Sequence, residues 1–162
     1  MTIKKKIVVG VIIMFVIFNI LWGVNYLLLY RPFSEKINST GNLQYFEHNN
    51  YTFGISDYQY LSFDFNLSIS ENRYLNSDMN DVSDVTVDLI IWISPFSEKE
   101  YGVTFFDAQL IENDEGYNSF DVMIDSDGNP LDVLTPQEQE VFDRFSEKIE
   151  ILFEEYNEIW GL

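Results

Sequence analysis

The feature that most restricts this chain is an uncharged run at 7–30, IVVGVIIMFVIFNILWGVNYLLLY. As a helix it extends roughly 36 Å, more than the hydrocarbon core of a bilayer, about 30 Å thick. Lys4, Lys5 and Lys6 precede it and Arg31-Pro32 follow it. Three readings compete. A cleaved signal peptide has an apolar region of about 7–15 residues ending at small side chains; this run is longer and leaves through Asn25-Tyr26-Leu27-Leu28-Leu29-Tyr30. A buried core helix seldom stays charge-free for so long. A single-pass membrane anchor is therefore expected. The positive-inside rule then puts residues 1–6 in the cytoplasm as a short tail, the span at 7–30, and the remainder outside the cell. The chain has no Cys, so a lipidated cysteine is excluded as the anchor.

Beyond the run about 130 residues remain, one domain by size. From residue 32 onward lie all 27 acidic residues, against Lys36, Arg73, Lys99, Arg144 and Lys148. So acidic a domain repels nucleic acid and anionic lipid. It attracts a basic protein or divalent cations, unless the charge serves solubility alone. With 14 Phe and 10 Tyr it is a packed domain, not an acidic tail. An exported domain without disulfides suits a Gram-positive surface.

Residues 31–50 read as a connector and 51–162 as an α+β domain. Alternation marks strands at 51–55, 60–70, 84–94, 101–112 and 117–125, with a short one at 131–134. In 60–70, Leu61, Phe63, Phe65, Leu67 and Ile69 take the core face. In 84–94, Val85, Val87, Leu89, Ile91 and Ile93 do so, leaving Asp84, Asp88, Ile90 and Trp92 opposite. Thr135-Pro136-Gln137-Glu138 reads as a helix start with a capping box and Pro at the first position. Val141, Phe145, Ile149, Leu152, Tyr156 and Ile159 then form one stripe, with Phe145 and Ile149 at its middle. The expected fold is an antiparallel meander of four to five strands, covered on one face by a long C-terminal helix.

No catalytic constellation emerges. His48 is the only histidine, so His-based triads and multi-His metal sites are absent. Paired carboxylates are inevitable at this acidity, and no glycine loop suits a phosphate. Asp125-Ser126-Asp127-Gly128-Asn129 begins like a calcium loop but lacks the Gly and Glu spacing such a loop needs. Neither an enzyme, a cofactor nor a metal is expected. What remains is the sheet face the helix does not cover. By alternation it collects Asp64, Asp84, Asp88, Asp107 and Asp121, with Tyr60, Trp92, Phe105 and Tyr117 among them. Aromatic anchors in a field of one sign suit a protein interface; an ordinary solvated face with chance aromatics is the plain alternative.

The lysine-led anchor at 4–30, the strands over 58–125 and the ending DSDGNPLDVLTPQEQEVFDRFSEKIEILFEEY at 125–156 resemble, in arrangement, the TipC family of immunity proteins of Gram-positive bacteria with type VII secretion. The resemblance implies an extracytoplasmic domain that binds and neutralises a secreted antibacterial toxin. A cell-envelope structural or regulatory protein with an endogenous partner is the alternative.

Overall fold

The structure, a computed structural model, describes residues 3–37, 39–40, 43–71, 85–106 and 119–161. Helix α1 (Ile3–Asn25) passes through a π-helical turn at Tyr26–Tyr30 into the short α2 (Arg31–Ser34). Together they form one helix of 32 residues, long and apolar enough to cross a membrane. Residues 3–17 touch nothing that buries them, so this is not a core helix.

Among the described residues the sheet is an antiparallel meander of seven strands in sequence order: β1 (Ser39–Thr40), β2 (Leu43–His48), β3 (Tyr51–Ile55), β4 (Phe65–Glu71), β5 (Thr86–Ile93), β6 (Glu100–Phe106) and β7 (Ser119–Ile124). The strand count exceeds the expected four to five because the stretch read as a connector supplies β1 and β2. In β2, between the edge strand β1 and β3, Phe46 faces inward beside Phe53, ring centroids 5.0 Å apart, while His48 of the same parity is exposed, so the strand shows little alternation. Period-two patterning survives best in β4 and β5, where 65, 67, 69, 87, 89, 91 and 93 are all buried.

Residues 60–64 do not continue β4 backwards as expected. They form a turn in which Phe63 adopts φ 62°, a left-handed backbone that costs a non-glycine residue free energy. The 131–134 strand reduces to a bridge between Ile124 and Pro130.

The covering layer is two helices, α3 (Pro136–Arg144) and α4 (Ser146–Trp160). The capping box forms as read: Glu138 N–H donates to Thr135 Oγ1 and Thr135 N–H to Glu138 Oε2. The break falls at Phe145, where the Ser146 hydroxyl donates to Asp143 O at 3.0 Å and competes with the helical ladder. Phe145 is consequently only half-buried, not the centre of the stripe. Ile149, Leu152, Tyr156 and Trp160 carry the burial instead. Gly161 closes α4 in the left-handed conformation that glycine adopts without penalty. Lys36 donates to Ile159 O near that end, where the helix dipole favours a cation. Lys148 pairs with Glu71 at 2.9 Å, tying α4 to β4.

The core continues into the apolar helix. Tyr30, Phe33 and Ile37 are as buried as the strands. Phe33 meets Phe65 at 5.5 Å and Trp160 at 6.3 Å, so the exit of the long helix is wedged between sheet and C-terminal helix.

Candidate functional site

The sheet face away from α3 and α4 can be read row by row from the strand register. One row runs Ser70, Asp88, Thr104, Asp121. The next runs Ser68, Ile90, Gly102, Met123. The third runs Asn66, Trp92, Glu100. Successive strands lie about 4.8 Å apart, so Asp88 and Asp121 stand roughly 10 Å from each other across Thr104. The Thr104 hydroxyl donates to Asp121 Oδ1 at 2.7 Å and fixes that carboxylate. Among the described side chains on this face of β2 to β7, Glu47, Asp88, Glu100 and Asp121 are charged and none is Lys or Arg.

Exposure is uneven along the rows. Thr86 and Thr104 are buried, whereas Trp92 is 37% exposed and Glu100 and Asp121 are open to solvent. Asp121 lies two rows away from Trp92 and Glu100, which mark the end of the sheet where β4 starts and β5 ends. A pocket of about 370 Å³ lies there, and its walls include Asp64, Asn66, Trp92, Ser94 and Glu100. Two of the residues singled out from sequence, Asp64 and Trp92, thus meet in one concavity. Asp64 is held by the Ser62 hydroxyl, which donates to Oδ1 at 2.6 Å.

Trp92 owes its posture to Gly102. A Cβ at Gly102 would stand 2.8 Å from Trp92 Cζ3 and 2.9 Å from Cη2, so the indole comes this close to the neighbouring strand because that position has no side chain. Met123 Sδ borders the same spot. The result is an apolar patch of Ile90, Trp92 and Met123 flanked by carboxylates. Gly102→Ala is expected to push the ring off its seat. The ring is the free end of a half-exposed side chain, so stability should change by about 0.5 kcal/mol or less. Near-ultraviolet circular dichroism should change while the melting curve does not; an unaltered spectrum would show that Gly102 does not hold the indole.

Phe105 requires a correction. It was expected on the open face, but it is 1% exposed in the core. The register sets it opposite Val87 and Phe120, and its ring stacks on Phe120 at 4.7 Å. Tyr60 is also displaced, from the sheet to the turn that meets α1. Asp84, Asp107 and Tyr117 lie outside the described residues. Sequence reasoning missed Gly102 and Glu100; a glycine in a strand beside an outward Trp was the available signal.

The Asp125 turn uses its carboxylate internally. Oδ1 accepts from the backbone N–H groups of Asn129 at 2.8 Å and Asp127 at 2.9 Å, and the Asn129 amide donates to both oxygens. Those bonds, from Asn129 first, hold its pKa below the usual carboxylate value. A second cleft, about 600 Å³, lies between this turn and α3 and α4.

No protein-family model matches the chain, and no curated protein or solved structure matches it.

Proposed function

We propose that this chain is a single-pass, membrane-anchored binding protein whose domain stands outside the cell and neutralises a secreted antibacterial toxin by covering part of its surface. The observation that carries the binding role is the Trp92 patch: an indole seated on Gly102, with Asp64 and Glu100 beside it, on a face with no described cation. An exposed aromatic anchor supplies affinity, and carboxylates of one sign steer a basic partner and set the salt dependence of encounter. The pocket beside it suits a lysine or arginine of that partner, which would meet an indole face and two carboxylates at once. The partner class, a toxin, comes from the resemblance to the TipC family.

Two observations favour an uncleaved anchor over a signal peptide. The run is long enough to span, and its last turns are part of the folded core through Tyr30 and Phe33. Cleavage near residue 30 would strip Tyr26, Leu29 and Tyr30 from the packing.

The native chain has no Cys, so orientation can be read from single substitutions. A membrane-impermeant maleimide on intact cells is expected to label Glu150→Cys at full length and to reach Lys4→Cys only after the membrane is opened. The reverse pattern would contradict the orientation. Labelled chains lacking the N-terminus would mean a signal peptide.

A further inference from the structure

The side of the long helix that faces the domain carries a ring at every fourth position: Phe18, Trp22, Tyr26 and Tyr30. The turn at 56–64 packs on that row. Tyr58 lies 5.8 Å from both Trp22 and Tyr26, and Tyr60 5.3 Å from Phe18 and 5.4 Å from Trp22, between ring centroids. Phe63, held in its left-handed backbone, meets Phe18 at 5.2 Å. On its other side it meets Phe96 of the β5–β6 turn at 5.6 Å. The Tyr60 hydroxyl donates to Asn19 Oδ1 at 2.8 Å, while the Asn19 amide donates to Phe15 O. The Asn19 side chain is therefore bonded without water, whereas Trp22 Nε1 and the Tyr58 hydroxyl of the same cluster are buried with no hydrogen-bond partner among the described residues.

Helix arithmetic locates this cluster. From Lys6 to Tyr26 is about 30 Å along the axis, the whole thickness of a hydrocarbon core. Phe18 lies about 12 Å short of that boundary, and tilting the helix moves the boundary further toward its C-terminus. Residues touching Phe18 and Trp22 are then at lipid depth. Two apolar side chains beside them are largely uncovered: Leu61 is 83% exposed and Phe96 76%. The 56–64 turn carries Asp57 and Asp64 and the β5–β6 turn carries Glu98 and Lys99, charges that belong at the level of the headgroups and not of the acyl chains.

We infer that the side chains of Leu61 and Phe96 enter the bilayer leaflet nearest the sheet, completing an aromatic collar around the spanning helix, with the charged groups of the same turns left at the leaflet surface. The inference rests on the reading of that helix as a membrane span. Its occupant is the lipid of the same bilayer, because the collar is continuous with the helix surface that enters it. The domain is then seated on the membrane and does not swing on a tether. The end of the sheet with the Trp92 pocket is held close to the bilayer surface, where a partner must approach from the side.

The test uses the full chain reconstituted in phosphatidylcholine vesicles, with a nitroxide at Leu61→Cys, Phe96→Cys, Met14→Cys or Glu150→Cys. All four parent side chains are exposed, so the fold should tolerate the label. Labels at 61 and 96 are expected to collide with oxygen in preference to an aqueous nickel chelate, as Met14 does, and Glu150 should show the opposite preference. If 61 and 96 behave like Glu150 while Met14 stays protected, the helix spans but the collar stands in water, and this inference alone fails. If Met14 itself is reached by the chelate, the spanning reading fails and takes the collar with it.

Discussion

Replacing Phe33 by alanine is expected to lower the unfolding free energy of the full chain by about 3–5 kcal/mol, the usual cost of truncating a buried aromatic ring. Phe33 is 5% exposed and sits between Phe65 of the sheet and Trp160 of α4. Its loss opens a cavity at the one place where the long helix, the sheet and the C-terminal helix converge. Trp160→Ala should cost a comparable amount, since that ring also meets Phe53 at 5.5 Å and Tyr156 at 5.9 Å. Because the two rings share the cavity, the double variant should lose less than the sum of the single losses. Melting curves in lipid nanodiscs measure all three. If Phe33→Ala melts like the parent, the helix exit is a tether, not a core element. Ile149→Ala provides the internal reference, as a buried aliphatic position of α4 remote from the long helix, with an expected cost of about 2–5 kcal/mol.

The second large effect concerns binding. Trp92→Ala should weaken partner binding by at least about 2 kcal/mol, roughly thirtyfold in Kd, and chiefly through faster dissociation. The residue is exposed and rests on a glycine, so its removal leaves no core cavity and the melting curve should not move. Glu100→Lys with Asp121→Lys should act on the other kinetic arm. Both carboxylates are on the open face, and reversing them removes steering: association slows and its salt dependence flattens. Glu100→Lys alone is the cleaner substitution, because Asp121 also accepts the Thr104 hydroxyl.

What could be read from sequence follows from what local patterning encodes. Alternation placed Leu67, Ile69, Leu89 and Ile91 correctly because each strand there has one apolar and one polar face. Thr135 and Glu138 announced the helix start because a capping box is wholly local. Alternation misled at Leu61 and Phe63. These residues keep the apolar period of β4, yet Phe63 packs on the long helix and Leu61 is uncovered, and a one-dimensional pattern does not say which surface an apolar residue is for. Phe105 failed for a related reason: Phe105 and Phe106 are adjacent aromatics of opposite parity, so which of them enters the core is set by pairing with Val87 and Phe120 rather than by composition. At the candidate site, Trp92 was visible as an aromatic on a polar face. Its seat on Gly102 and the pocket it shares with Asp64 depend on neighbouring strands and the following turn, which only the register reveals.

The central claim is that the Trp92 end of the open sheet face binds a basic protein outside the cell. The direct measurement is capture from the secreted proteins of related strains on nanodisc-held parent chain, followed by binding kinetics of the captured protein with parent, Trp92→Ala and Glu100→Lys at two salt concentrations. The account predicts a basic partner that protects the sheet face, dissociates about thirtyfold faster from Trp92→Ala and associates more slowly with Glu100→Lys, all three chains melting alike. Capture of a protein that binds all three chains with the same rates would contradict it, and so would a partner lost from Trp92→Ala only because that variant unfolds.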